Sequence, residues 1–564
     1  MIKAKYYEYH IYFLIGVLVA LFNLIAVFGP KFLLHDDPGL YRLIINGEFH
    51  GFASWMSRYD LICPFLEWIV CDIMAYSPPL ARGLHVMFLM IPLSCCFYYL
   101  YHFKFGFPRK TAITAAVLPT ILPMQWQIPA GINMSYLLWG LLFSIFSLII
   151  GFHYLEKNTP KNWFRLASAI LCYLIATQIM ELALFFLPPL VLAFWGYGKI
   201  TKKHFFLILA VTLVGISKFV HMVMLPRKES QMMPIDIILK RIGLYFQWAL
   251  PVPDILPAIA VIIFLGIISI GFILYFNHPI YELKPYCVFS RFPSKIKNSL
   301  LYGFFIIWAI SNIFPIILLS IPFPPRYSYI SMFGAQAIFV FSIYVILKKI
   351  FPGKRKIYTL FFIGIILLSG VFRIIFLKNT FAPENQIKSI IMKDLNRIPL
   401  PLNSQVVIVN LKGFYGGWPR SSGYFQFTLK RNDIIGLAGP VNSSEYYNFD
   451  NHFDPMVRGW YPRHQMTGLS LERPLFLFYF DEENRKLDQL EYVLQWRGAK
   501  RDAPWTIFKV DKIMGEIFPL AVGIGMEEYV SVLQKLKERG ISQKEILWGG
   551  PPTKAEQRRL EKGT

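Results

Sequence analysis

Charge is scarce in this chain. Asp, Glu, Lys and Arg make up 16% of its 564 residues, against about 25% in an average soluble protein. With 55% hydrophobic residues, that shortage excludes a large water-soluble enzyme. Cysteine is scarce as well. There are six, and none follows Cys287, so the C-terminal region is no disulfide scaffold. Cys63 and Cys71 have no His at metal-type spacing, so no metal centre is implied. Acidic residues are outnumbered, 34 against 57 basic, for a net charge of +23. Nucleic-acid binding does not follow, because Lys and Arg fall in short clusters between apolar runs, the positive-inside pattern of membrane proteins. Internal repeats and low-complexity tracts are absent.

Long apolar runs are abundant. Residues 11–29 span a bilayer, and no small-x-small site follows to mark a cleaved signal peptide. Further spans are predicted at about 83–101, 111–126, 134–154, 204–224, 256–276, 299–321, 328–347 and 357–376. Residues 164–197 are too long for one crossing at 1.5 Å per residue. They divide at Gln178–Glu181 into two spans, which keeps the basic clusters alternating. The fold class is therefore mainly α, a polytopic bundle of about 11 spans over residues 1–377. Residues 30–82 form a long first outer loop. Residues 225–255 hold a helix that rests on the interface. Residues 378–564 are predicted to be an extracytoplasmic soluble α/β domain. Its expected helices are 384–397, 484–496 and 526–539. Its expected strands are 404–411, 424–430, 474–480 and 504–510.

The unusual polar residues fall on the predicted outer side. His35, Asp36 and Asp37 follow the first span, where charge is often functional. Asp37 before Pro38 also reads as a plain helix cap, which leaves the second carboxylate unexplained. Glu181 sits between two spans, where a solvated break is an equal alternative. Arg326 lies in the turn Pro322-Phe323-Pro324-Pro325-Arg326-Tyr327, and anchoring to lipid head groups is nearly as good a reading. A pocket of outer loops over an apolar bundle suits a polyprenyl phosphate carrying a sugar. Asp36 or Asp37 would take a proton from the acceptor hydroxyl. Arg326 would pair with the leaving phosphate, and Glu181 would orient the acceptor or a basic partner. Arg227-Lys228 and Lys240-Arg241 are further candidates for pyrophosphate, with solvated loop charge as the plainer role. In the C-terminal region the Gly413–Trp418 loop reads as a turn. Asp450, His452, Asp454 and His464 match no metal-ligand spacing.

In combination these features resemble the GT-C-type membrane glycosyltransferases that use lipid-phosphate sugars. That family includes protein mannosyltransferases, oligosaccharyltransferases and bacterial enzymes that decorate lipid A or O-antigen. The shared features are an acidic pair after the first span (Asp36-Asp37), a long first outer loop, and Glu181 in Gln178-Ile179-Met180-Glu181. Arg326-Tyr327 opening a late span and a C-terminal domain on the same side complete the set. The resemblance covers residues 1–376. It implies inverting sugar transfer from a polyprenyl-phosphate donor to a glycan, lipid or protein acceptor, with an Asp of the pair as base. His35, Arg58, Arg326, Tyr327, Arg227 and Lys228 are the substrate-binding candidates. A divalent metal is required by some members and not others, so no cofactor is assigned. This chain departs from the pattern in two places. It has His-Asp-Asp in place of the Asp-Glu of some branches, and Met180 where a Lys often precedes the Glu.

The alternatives are a flippase for lipid-linked glycans, an O-antigen-type polymerase or ligase, and a non-catalytic sensor. A transporter is expected to carry charge at mid-membrane, and here ionisable residues cluster at span ends. Lys218 and His221 are exceptions near the end of a span. The expected location is a bacterial inner membrane, with the C-terminal domain in the periplasm.

Overall fold

A computed structural model describes residues 2–30, 41, 73, 76–125, 127–156, 162–224, 233–252, 255–277, 288–318, 325–409, 418–438, 475–481, 484–490, 492–496, 505–510 and 517–519. Its contacts divide the chain into two units. One comprises Met1–Pro30 and His50–Phe381, the other Lys31–Phe49 and Ala382–Thr564.

The first unit is a polytopic helix bundle. Its helices are α1 (Ile2–Phe28), α2 (Pro78–Lys104), α3 (Arg109–Ile121), α4 (Ser135–Glu156), α5 (Asn162–Ile179) and α6 (Leu187–Gly196). They are followed by α7 (Lys202–Met224), α8 (Ile235–Ala249), α9 (Pro257–Asn277), α10 (Ser294–Leu318), α11 (Tyr329–Ile350) and α12 (Arg355–Leu395). Eight helices among the described residues are long and apolar enough to cross a membrane. The segment Glu181–Gly196 is a shorter apolar helix.

Local chemistry sets the helix ends. Ser77 caps α2 by accepting a hydrogen bond from the Leu80 N–H, and Pro78-Pro79 fill the first turn, where a missing N–H costs nothing. Pro92 lies within α2 and cannot donate, and the preceding turn, Val86–Met90, widens to π geometry, a usual adjustment beside such a defect. Helix α5 ends where predicted. Met180 is extended (φ −139°, ψ 115°), and a 3₁₀ turn, Glu181–Phe186, leads into α6. The helix predicted within residues 225–255 appears as α8.

Helix α11 forms the core of the bundle. Its span is 94% buried, against 22% for the peripheral α9. Aromatic stacking seats it: Phe97 on Phe333 (3.8 Å between ring centroids), Phe107 on Phe341 (4.6 Å) and Phe264 on Phe339 (4.7 Å). Tyr101 donates to the Phe333 carbonyl at 2.8 Å, and Trp308 to that of Ile330 at 3.3 Å. At Gly334 an added Cβ would lie 2.8 Å from the Trp308 ring and 3.0 Å from the Ala309 nitrogen. Small residues let membrane helices approach this closely.

In the second unit, β1 (Gln405–Val409), β2 (Ile435–Ala438), β3 (Leu475–Asp481) and β4 (Lys486–Leu490) form a sheet of order β2-β1-β3-β4. β1 runs parallel to β2 and β3, and β4 is antiparallel to β3. Strands β5 (Tyr492–Trp496), β6 (Trp505–Val510) and β7 (Ile517–Pro519) make a separate antiparallel sheet. The core joins Ile391, Leu395, Val406, Ile408, Tyr424, Phe425 and Phe478. Tyr41 is buried too, its ring edge-on to Phe427 at 5.3 Å.

Two expectations for this region are corrected. Residues 424–430 are expected as a strand, but 424–429 belong to helix α13 (Trp418–Leu429), and Lys430 follows it at φ 55°. Adjacent parallel strands such as β1 and β2 need a crossover connection, usually helical, and that topology overrides the local preference of Tyr and Phe for strands. Residues 484–496, expected as a helix, form β4 and β5 instead. The turn at Asn484-Arg485, with Arg485 at φ 50°, folds β4 back onto β3. The expected helix 384–397 is present as the end of α12, which runs unbroken from the last span to Leu395 through Pro383. The expected helix 526–539, the Gly413–Gly417 stretch and the Asp450–His464 cluster lie outside the described residues.

Candidate functional site

The bundle has two chemically different ends. At one end, ion pairs tie the helices together. Arg109 pairs with Glu8 at 2.6 Å, and Tyr98 donates to the same carboxylate at 2.8 Å. Lys104 pairs with Glu156, which also accepts from Tyr197. Lys110 bonds the Thr359 hydroxyl. These contacts gather the starts of α1, α3 and α12 and the finishes of α2, α4 and α6.

At the opposite end, buried arginines donate to the backbone where helices finish. Arg82 donates to the Val27 and Pro30 carbonyls at 3.1 and 2.9 Å, closing α1. Arg241 donates to Ile316 at 2.9 Å, in the last turn of α10. Arg373 donates to Leu122 at 2.6 Å, just past α3, and to Asn23 Oδ1 at 2.6 Å. All three are at most 3% exposed. Each guanidinium satisfies carbonyls that the helix leaves orphaned, at the negative end of its dipole. The reading of Arg241 as solvated loop charge is thereby corrected. Arg82 and Arg373 are absent from the candidates that the sequence singles out. Their signal is a lone cation in or beside an apolar run.

Arg326 lies at this same end, in the 3₁₀ turn Pro325–Ser328 that opens α11. Its Nη1 donates to Gln127 Oε1 at 3.2 Å, and its guanidinium lies over the Tyr327 ring at 5.3 Å. The neighbouring Gln125 donates to Ser328 Oγ at 2.8 Å. The predicted turn Gln125–Pro129 is thus the support of the predicted Arg326-Tyr327 pair. Arg326 Nε and the Tyr329 hydroxyl are buried and have no hydrogen-bond partner among the described residues, nor has Arg373 Nε. A buried donor without an acceptor costs about 1–3 kcal/mol. An anionic oxygen presented to this turn would remove that penalty.

Glu181 is exposed at the start of the 3₁₀ turn after α5. At the far side of that turn, Phe186 meets the Trp308 ring edge-on at 4.9 Å. Lys218 reaches Gln178 Oε1 at 3.4 Å, so the exceptional cation of α7 sits at this end of the bundle rather than at its middle. His35, Asp36, Asp37, Arg58, Arg227 and Lys228 lie outside the described residues. Among the described residues, no group of three or more His, Cys, Asp or Glu is placed to hold a metal ion.

No protein-family model matches the chain, and no curated protein matches it. Solved structures of the Archaeoglobus fulgidus oligosaccharyltransferase are similar to it at low level. The apo form gives a TM-score of 0.40 at 12% identity over 77% of this chain and 65% of that one. The form tethered to an acceptor peptide gives 0.37 at 13% identity over 76% and 64%. AglB of the same organism, in complex with an inhibitory peptide and a dolichol-phosphate, gives 0.37 at 12% identity over 77% and 65%. The chain thus spans about 65% of that enzyme's length, and agreement at these scores is too loose to carry function across.

Proposed function

We propose that this protein is a GT-C-type membrane glycosyltransferase that moves a sugar from a polyprenyl-phosphate donor to an acceptor at one membrane face. The observation that supports this best is Arg326. It is a half-buried guanidinium at a helix start, braced by Gln127 and Tyr327, with one buried N–H left without an acceptor among the described residues. A phosphate oxygen suits that geometry, because the guanidinium fork matches phosphate and stays charged. Helix α1 finishes at the same end of the bundle, and Asp36-Asp37 follow it in the chain.

In the reaction, Asp36 or Asp37 accepts the proton of the acceptor hydroxyl as its oxygen attacks the anomeric carbon. The bond from that carbon to the phosphate oxygen breaks. Polyprenyl phosphate leaves with the electron pair, its added negative charge held by Arg326. Attack opposite the leaving group inverts the anomeric configuration. Glu181 orients the acceptor, and Arg227, Lys228, Arg58 and His35 add contacts to the donor head. The face is the periplasmic side of a bacterial inner membrane, and the acceptor is a glycan, lipid or protein.

The test uses the full chain in lipid with radiolabelled polyprenyl-phosphate sugars, reading release of free polyprenyl phosphate. Wild type turns over. Asp36→Asn or Asp37→Asn abolishes turnover with donor binding kept, and Arg326→Gln weakens donor binding. Unchanged turnover in both Asn variants removes the acidic pair from the mechanism. Donor binding without turnover across a broad acceptor panel identifies a flippase instead.

A further inference from the structure

On one flank of the bundle a groove of about 420 Å³ opens between α6, α9 and α10. Leu192, Phe276, Leu300 and Ile307 wall it, and Ser299 brings a single hydroxyl. Gly303 forms part of its lining, and a Cβ added there would meet nothing within 4 Å. At Gly334 the missing side chain lets two helices touch. At Gly303 it leaves open space. A water-soluble ligand gains little from such walls, whereas a hydrocarbon chain fits them.

A cation lies beyond the groove's Leu192 wall. Arg291 stands in the turn just before α10, beside the finish of α6. Its Nη2 donates to the Trp195 carbonyl at 2.6 Å, and its guanidinium lies over the rings of Trp195 (4.9 Å) and Phe292 (4.6 Å). Trp195 is one helical turn beyond Leu192, on the same face of α6. Phe292 packs on Trp195 at 5.2 Å. Arg291 is part-exposed and makes no ion pair among the described residues, a cation framed by two aromatics. Aromatic rings of this kind mark the head-group level of a bilayer, and a basic residue there attracts anionic lipid.

We propose that this groove binds one anionic phospholipid of the surrounding bilayer, with its head-group phosphate on Arg291 and an acyl chain along Leu192, Phe276 and Gly303. The site lies at the ion-paired end of the bundle, opposite Arg326, and is independent of the donor site proposed above.

The test is native mass spectrometry of the full chain, stripped of lipid in detergent and then titrated with phosphatidylglycerol or phosphatidylcholine of matched acyl chains. Wild type retains phosphatidylglycerol over phosphatidylcholine by roughly tenfold, the size of one charge-assisted hydrogen bond. Arg291→Gln brings the two lipids to near parity. Gly303→Leu, which has open space to occupy, lowers retention of both while the lipid-free melting temperature stays unchanged. Equal retention of the two lipids by wild type, or an unchanged preference in Arg291→Gln, overturns the proposal. Retention of both lipids by Gly303→Leu at wild-type level overturns the placement of the acyl chain. Tighter retention of a polyprenyl phosphate than of phosphatidylglycerol gives the groove a different occupant and overturns it as well.

Discussion

Arg373 Nη2 donates to Asn23 Oδ1 at 2.6 Å, joining the last span to the first with both residues fully buried. Asn23 in turn donates to the Val19 carbonyl at 2.7 Å, and Arg373 to that of Leu122 at 2.6 Å. Removing one partner strands the other. Asn23→Leu is expected to destabilise the bundle by about 3 kcal/mol, in the range for a buried charge that loses its partner. Adding Arg373→Met should cost less than the two single effects summed. A double-mutant cycle of detergent unfolding checks this, and strict additivity would show that the bond carries no coupling.

The two ion pairs at the other end should differ in worth. Lys104 is nearly buried at 6% side-chain exposure, whereas Arg109 is 44% exposed. The Lys104 ammonium also lies over the rings of Tyr99, Phe152 and Tyr197, within 5.9 Å of each. Lys104→Met leaves Glu156 half-buried beside His153 and Tyr197, and should cost about 3 kcal/mol. Arg109→Gln should cost no more than about 1 kcal/mol. Melting temperatures in the same detergent compare them, and equal losses would contradict the ranking.

Two glycines on α10 and α11 offer a matched test of packing. Gly334→Ala forces a methyl against Trp308 and the Ala309 backbone, and should destabilise by about 1–3 kcal/mol. Gly303→Ala meets nothing within 4 Å and should leave the melting temperature within the range of a helix-propensity gain. A neutral Gly334→Ala would mean that α10 and α11 move apart at little cost.

In the second unit, Arg431 holds the Asp433 carboxyl below its ordinary pKa through a hydrogen bond, and the Asn403 N–H adds to this. The folded-state pKa lies below the unfolded one. The contribution is therefore full above about pH 4 and is lost as pH falls toward the folded value. Hydrogen exchange around residues 403 and 433 should accelerate as pH drops below about 4 beyond its intrinsic pH dependence, and Asp433→Asn should remove that extra loss. The same acid response in the Asn variant would assign it to another group.

The sequence alone determined the bundle, because spanning segments are written as composition. A run such as 11–29 has to be helical in lipid, where every backbone group must be satisfied internally. Met180 breaks the long run at the expected place. The support of Arg326 by Gln127 was half legible, since both residues stand out as polar breaks between apolar runs. Tertiary structure alone decided the rest. Arg82, Arg241 and Arg373 look like stray charges until the helix ends they close are brought to them across 52, 75 and 251 positions of chain. Residues 424–429 have the side chains of a strand, yet they fold as a helix because two parallel strands must be bridged. Local preference is worth tenths of a kcal/mol per residue, and a buried sheet or a stranded guanidinium is worth several times that.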